Sequence, residues 1–291
     1  MEILKAILFG IVEGITEWLP VSSTGHMILL NEFLPLRVGQ TKEEMDAFYS
    51  MFEVVIQLGA ILAVVLVFWT RLWPFGRKNN QKPLADHGIG SYIKWDIFEL
   101  WFHILISCVP AAVIGILFDE QLEKWFYNYQ TVAIMLILFG IAFLVVETYN
   151  KDKKPKIRKV SDITYTTALL IGLFQVIAAV FPGTSRSGAT IVGALLIGVA
   201  RRAAAEYTFY LAVPVMFGAS LLKLVKHGLS FSPMQLAVLL VGMVVAFVVS
   251  LAVIRFLLGY IRKHDFKPFG WYRIALGAIV LVCGLAGVIG G

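Results

Sequence analysis

Between Glu13 and His26 the chain reads Glu-Gly-Ile-Thr-Glu-Trp-Leu-Pro-Val-Ser-Ser-Thr-Gly-His, a polar cluster inside an apolar N-terminal region. A charge in hydrocarbon costs about 2.5–3.5 kcal/mol on insertion scales, so ionisable groups there are rare and mark function. Glu13 and Glu17 are spaced i,i+4 and share one helix face, where two carboxylates can hold a divalent cation or supply a base. A structural bond to a neighbouring helix is the competing reading. Ser22, Ser23 and Thr24 follow Pro20; one hydroxyl suits a helix N-cap, and a second, facing a cavity, can attack phosphorus once a base takes its proton. His26 falls four residues after Ser22 and three after Ser23, within reach of either on a helix.

A second cluster, Pro182-Gly-Thr-Ser-Arg-Ser-Gly188, sets Thr184, Ser185, Arg186 and Ser187 between two glycines. A guanidinium fork binds phosphate oxygens bidentately and stabilises charge in phosphoryl transfer. A salt bridge from Arg186 to Glu13 or Glu17 is its structural alternative and is compatible with that role. Gly183 and Gly188 let a backbone approach closely. Glu53 and Gln57, again i,i+4, can add a wall to the same site, with helix packing as the plainer reading.

The elements that must position these groups follow from composition. The 291 residues are 59% hydrophobic and only 15% charged, with a mean hydropathy of +0.81, which points to a polytopic membrane protein rather than a soluble enzyme. The net charge of +6 resides in short loops, so it reads as topogenic charge and contact with membrane lipid headgroups, with no nucleic-acid partner. Cys108 and Cys283 lie in apolar segments and read as small core hydrophobes. The first apolar segment lacks a basic leader and a cleavage site, so it does not read as a signal peptide. Trp18, Trp69, Trp73 and Trp125 are assigned to interfacial aromatic belts.

Hydropathy predicts short segments at 2–18 and 22–36, parted at Pro20, then spans at 48–70, 97–118 and 130–148. A second pair of short segments, 163–181 and 184–200, parts at Pro182-Gly183 and leads to spans at about 206–226, 234–258 and 271–289. The first pair would give about 22–26 Å of helix each, short of a ~30 Å hydrocarbon core, which suits a re-entrant hairpin; two thin spans are the alternative. Placing the 71–95, 150–160, 201–202 and 255–267 connections in the cytoplasm collects 17 of the 25 basic residues there. Alternation then puts both termini outside, the first hairpin entering from outside and the second from the cytoplasm. In this arrangement Arg186 is the only arginine deep inside the membrane domain.

A shift of 162 residues overlays the two hairpins without a gap: Gly10 on Gly172, Glu13 on Gln175, Pro20 on Pro182, Ser23 on Ser185. The chain therefore reads as a single integral membrane domain, 1–291, of all-α class and inverted-topology repeat. Repeat 1 covers about 1–148 and repeat 2 about 161–291, joined by a basic linker at 149–160, each half being a re-entrant hairpin plus three transmembrane helices. Two helix N-termini would then meet from opposite sides near the midplane as an anion site suited to phosphate.

These motifs, with Phe52-Glu-Val-Val-Ile-Gln57-Leu-Gly59 and the extension to Thr190, resemble the undecaprenyl-diphosphate phosphatase family, the bacterial membrane enzymes associated with bacitracin resistance. The resemblance implies hydrolysis of undecaprenyl diphosphate to undecaprenyl phosphate in cell-wall lipid carrier recycling. It implies a multi-pass protein of the bacterial inner membrane, and the entry of the first hairpin from outside predicts an active site open to the periplasm. It also implies a divalent cation, Mg²⁺ or Ca²⁺, on Glu13 and Glu17. Ser23 would be the nucleophile with His26 activating it, or His26 would itself be phosphorylated; Arg186, Ser185 and Thr184 would hold the diphosphate. Ser22, Thr24, Gly183, Ser187, Gln57 and Glu53 complete the expected substrate-binding set, and a homo-oligomer is admitted. The main alternative is a transporter or flippase for a polyprenyl phosphate lipid, since broken helices in inverted repeats suit transport. A lipid-binding scaffold is a third reading.

Overall fold

The computed structural model describes residues 1–77, 80, 82–228 and 230–289. Lys78, counted above among the basic loop residues, and the side chains of the acidic patch Asp119, Glu120 and Glu123 lie outside the described set. The chain runs through α1 (Glu2–Thr16), α2 (Ser23–Phe33), α3 (Lys42–Val55), α4 (Gln57–Val67), α5 (Trp69–Leu72), α6 (Trp95–Phe126) and α7 (Tyr129–Tyr149). It continues through α8 (Tyr165–Val180), α9 (Arg186–Leu196), α10 (Arg201–His227), α11 (Pro233–Tyr260) and α12 (Lys267–Leu285). Six stretches among the described residues are long and apolar enough to cross a membrane: Lys42–Val67, Trp95–Phe118, Tyr129–Tyr149, Arg201–His227, Pro233–Tyr260 and Lys267–Leu285. The all-α, multi-pass expectation holds.

Three boundaries differ from the hydropathy reading. The polar run Lys42-Glu43-Glu44 is the first turn of α3 rather than a connection, because the Thr41 hydroxyl caps the Glu44 N–H at 3.2 Å. The helix breaks at Ile56, between Glu53 and Gln57, and resumes as α4. Helix α6 continues past 118 through Phe126, since acidic residues end an apolar run without ending a helix. Trp18 is not in an interfacial belt. It is fully buried, edge-on to Phe209 at 5.3 Å between ring centroids.

The two short pairs fold as closed hairpins. In the first, Lys5 Nζ donates to Pro35 O at 2.6 Å and the Arg37 N–H to Glu2 Oε2 at 2.8 Å, so entry and exit lie together. In the second, Ile157 pairs with Val199 in a parallel bridge and the Ala200 N–H donates to Ile157 O at 2.8 Å. Helices α2 and α9 have 11 residues each, about 16 Å at 1.5 Å per residue, and so cannot cross the ~30 Å core. The tips of the two hairpins meet, with Ser187 Oγ donating to Glu17 O at 3.3 Å.

The long helices pack with crossed partners. Arg71, after α4, meets Glu206 at the start of α10, while Lys223 near the end of α10 meets Ser50 in α3; the two are antiparallel. Helices α7 and α12 are also antiparallel, joined by close approach at Gly140–Gly270 and at Gly284–Tyr129. Helix α1 lies on α11, where a Cβ at Gly10 would sit 2.7 Å from Gly242 O, and α8 lies on α6, where one at Gly172 would sit 2.5 Å from Ser107 O. Small residues permit such backbone contact where lipid offers no hydrophobic drive between helices.

At both hairpin tips a serine adopts positive φ and caps the next helix. Ser22 (φ 75°) accepts the Gly25 N–H at 3.4 Å and Ser185 (φ 67°) accepts the Gly188 N–H at 3.2 Å. These caps correct the gapless overlay: beyond the tips the equivalent pairs are Ser22 with Ser185 and Ser23 with Arg186, one residue off the 162-residue shift. The second hairpin has one residue more between its proline and its capping serine, Pro182 to Ser185 against Pro20 to Ser22.

Arg186 is not the only deep arginine. Arg273, in α12, is fully buried. Its Nη1 donates to Pro20 O at 3.3 Å, and its Nη2 donates to Gly183 O at 2.9 Å and Thr184 O at 2.7 Å. One guanidinium therefore holds the carbonyls of both hairpin breaks. A hydrogen bond to a charged group contributes about 1.5–3 kcal/mol, so three offset the cost of burying the charge. Arg273→Leu is expected to cost about 3–5 kcal/mol, read as a lower melting temperature in detergent, with Arg273→Lys in between. An unchanged melting temperature for the Leu variant would remove the latch role.

Candidate active site

The first break ends α1 at Thr16, whose hydroxyl turns back to Val12 O at 2.7 Å, and leaves Glu17 at the C-cap. Glu17 is nearly buried and uses both carboxylate oxygens. Ser23 Oγ donates to Oε2 at 2.9 Å, and Arg186 Nη2 donates to Oε1 at 3.0 Å. Ser23 and Arg186 are the first residues of α2 and α9, so one carboxylate bridges the N-terminal turns of both hairpin return helices. Arg186 is oriented further by Nη1 donating to Thr208 O at 2.9 Å, while its Nε is buried without a partner.

Glu13, one turn earlier, is in the opposite state. Its side chain is buried and neither oxygen accepts a hydrogen bond. It lines a cavity of about 290 Å³ together with Ser23, Thr24, Glu53, Gln57 and Lys223. Tyr127 closes the rim, its hydroxyl donating to Glu53 Oε1 at 3.3 Å. Gln175, the position that overlays Glu13 in the repeat, is likewise buried, with both side-chain polar atoms unpartnered. Orphaned polar atoms at this depth are costly unless water or a ligand satisfies them, which marks the region as a polar site.

The expected residues thus fall into three groups. Glu17, Ser23 and Arg186 form one bonded unit. Glu13, Glu53, Gln57 and Thr24 share the cavity that Ser23 enters. Ser22, Gly183, Thr184, Ser185 and Ser187 build the two breaks, with Ser185 Oγ 3.1 Å from Ser187 Oγ. Gly183 (φ 87°) is required there, since a Cβ would lie 2.6 Å from Val132 O.

His26 is not on Ser23. Its Nδ1 lies 2.7 Å from Ser22 O, and its Nε2 lies 2.7 Å from the Tyr272 hydroxyl, with the rings stacked at 5.6 Å. A carbonyl only accepts, so Nδ1 carries the proton, and a neutral ring then accepts from Tyr272 through Nε2. The partner of the Ser23 hydroxyl is Glu17. Helical spacing put His26 within reach of Ser22 or Ser23, but its ring is held between the Ser22 carbonyl and Tyr272 of α12. Among the described residues no three His, Cys, Asp or Glu side chains converge as a ready ligand set. Lys223, near the end of the predicted 206–226 span, and Tyr127 and Tyr272 join the site without any spacing signal, because tertiary packing brings them.

The family described as bacitracin resistance protein BacA matches residues 6–279. A protein named undecaprenyl-diphosphatase from Desulfitobacterium hafniense is 61% identical over 97% of this chain and 96% of its own length. Undecaprenyl-diphosphatase 1 of Clostridium acetobutylicum is 60% identical over 97% of both chains, and a relative from Enterococcus faecalis is 55% identical over the same shares. With the family match over nearly its whole length and relatives of 55–61% identity, this chain belongs to the BacA family of bacitracin resistance proteins.

Proposed function

We propose that this chain removes the terminal phosphate of undecaprenyl diphosphate, returning undecaprenyl phosphate to the lipid carrier cycle of cell-wall synthesis. The names of its relatives support the substrate, and the observation that carries the chemistry is the Ser23–Glu17–Arg186 unit. A polyprenyl tail stays in lipid while its diphosphate enters the polar cavity. The first-turn N–H groups of α2 and α9, the Arg186 fork and Lys223 face its charge.

Ser23 Oγ attacks the terminal phosphorus and passes its proton to Glu17. The new Oγ–P bond forms as the bond from phosphorus to the bridging oxygen breaks, and undecaprenyl phosphate leaves. Water then adds to phosphorus as the P–Oγ bond breaks, Glu17 returns its proton to Ser23 Oγ, and phosphate leaves with the protons of that water. Thr184, Ser185, Ser187, Ser22 and Thr24 keep the breaks and first turns in place around the diphosphate. His26, bonded to Ser22 and Tyr272, orients the first turn of α2.

A divalent cation, Mg²⁺ or Ca²⁺, fits the donor set at Glu13, whose oxygens are orphaned, with Glu53 and Gln57 in the same wall. Bound there, it would neutralise charge on the phosphate oxygens. Glu17, expected as a second ligand, already engages Ser23 and Arg186.

The two halves, 1–148 and 161–291, are read as inverted repeats joined by the 149–160 linker. The antiparallel pairings of α3–α4 with α10 and of α7 with α12 support this, as each pairs equivalent spans. The cavity is lined by Glu53 and Lys223, at the end of the bundle away from Arg71, Arg201 and Arg202. With the basic end in the cytoplasm, the cavity opens to the periplasm of the inner membrane and both termini are periplasmic. Inverted repeats also suit a transporter, but transport has no use for a hydroxyl held by a carboxylate.

Phosphate release from a polyprenyl diphosphate by purified protein tests the enzyme reading. Ser23→Ala and Glu17→Gln are expected to fall about 10²–10⁴-fold, and Arg186→Lys about 10³-fold, with His26→Ala less affected than Ser23→Ala. Chelation should lower release and added Mg²⁺ restore it. Lipid translocation without phosphate release would favour the transporter. For orientation, a cysteine placed at Lys154 should resist an impermeant maleimide in intact cells, while one at Gln40 should react; the reverse pattern would invert the topology.

A further inference from the structure

A second cavity, of about 450 Å³, shares no residue with the first and lies between α4, α5, α6 and α10. Its walls are hydrocarbon, including Ile61, Val65, Ile104 and Val213. Leu62, Leu105 and Phe217 at its mouth are each more than half exposed, at 54%, 53% and 55%, so it opens sideways from the bundle. Three indoles rim one end: Trp69 and Trp73 stack at 4.7 Å, and Trp101 Nε1 donates to Leu72 O at 3.1 Å. Amphipathic indoles of this kind settle at headgroup depth.

That same end carries an unbalanced charge. Arg71 Nη1 and Arg202 Nε donate to Glu206 at 2.6 Å and 2.7 Å. The acid is buried, with its side chain 7% exposed, whereas the arginine side chains are 53% and 48% exposed. Two cations on one buried carboxylate leave net positive charge facing outward, with guanidinium N–H groups beyond those two bonds. Tyr210 lies both in the cavity wall and beside Arg71, so cations and groove are continuous.

We propose that this groove binds one anionic phospholipid, an acyl chain along Val65 and Val213 and its phosphate on Arg71 and Arg202. Walls this apolar suit an acyl chain better than a soluble ligand, and basic pockets between transmembrane helices take anionic headgroups. The tail of the substrate fits less well. From Glu206 to Lys223 along α10 is about 26 Å, so a diphosphate beside Ser23 lies at the other end of the bundle. The site is independent of the catalytic reading.

The test uses full-length protein, delipidated in detergent, titrated with phosphatidylglycerol or phosphatidylcholine carrying brominated acyl chains, with tryptophan quenching as the readout. Phosphatidylglycerol should saturate at about tenfold lower concentration than phosphatidylcholine. The double variant Arg71→Gln, Arg202→Gln should erase that difference. Val65→Phe, which keeps the cations and narrows the groove, should remove saturable quenching by both lipids, with melting temperature confirming that each variant folds. Equal curves for the two lipids in the wild type, or phosphatidylglycerol binding unaltered by both variants, would overturn the site. Displacement of phosphatidylglycerol by an equimolar polyprenyl phosphate would also overturn it, reassigning the groove to the substrate tail.

Discussion

The arrangement depends on the Arg273 guanidinium, which satisfies backbone carbonyls that two broken helices leave inside a membrane domain. A re-entrant hairpin interrupts the helical hydrogen-bond ladder at depths where no water stands in, and each orphaned group there costs several kcal/mol. Placing Pro20 O, Gly183 O and Thr184 O on one fully buried cation solves that problem for both breaks together. It also fixes the distance between them. The small residues nearby follow: a Cβ at Gly188 would sit 2.9 Å from Arg273 Nη1, and one at Gly183 would strike Val132 O.

Once the tips are latched, the chemistry is a matter of which polar groups are satisfied. Glu17 spends its oxygens on the first residue of each return helix, Ser23 from one hairpin and Arg186 from the other. Glu13, four residues away on the same helix, spends neither. Two carboxylates one turn apart thereby differ, one holding a hydroxyl and a guanidinium, the other buried with neither oxygen bonded. Neither hairpin contains the unit alone: Glu17 and Ser23 come from the first and Arg186 from the second.

Much of this was legible from residue types. Apolar runs located the six spans, Pro20 and Pro182-Gly183 located the breaks, and the motif from Glu13 to His26 contains Glu13, Glu17 and Ser23 of the candidate site. The remainder depended on packing. Arg273 lies two residues inside a span predicted from 271, where an arginine reads as a boundary charge; α12 in fact begins at Lys267 and carries it inward. His26 had two candidate serines at helical spacing, Ser22 and Ser23, but it bonds the Ser22 carbonyl and the Tyr272 hydroxyl, and the Ser23 hydroxyl goes to Glu17 across the break. Trp18 looked interfacial because its neighbours in sequence are polar, but a re-entrant tip puts that position in the core against Phe209. Lys223 reads as a charge at the end of the 206–226 span until α10, antiparallel to α3, brings it to the cavity.

The central claim is that Ser23, held by Glu17, is the atom that takes the phosphoryl group. Rapid acid quench of purified protein with substrate labelled in the terminal phosphate, followed by peptide mapping, tests it directly. The account predicts an acid-stable phosphoserine at Ser23 that is absent from Ser23→Ala. An acid-labile label on His26, or single turnover with no labelled peptide, would contradict it.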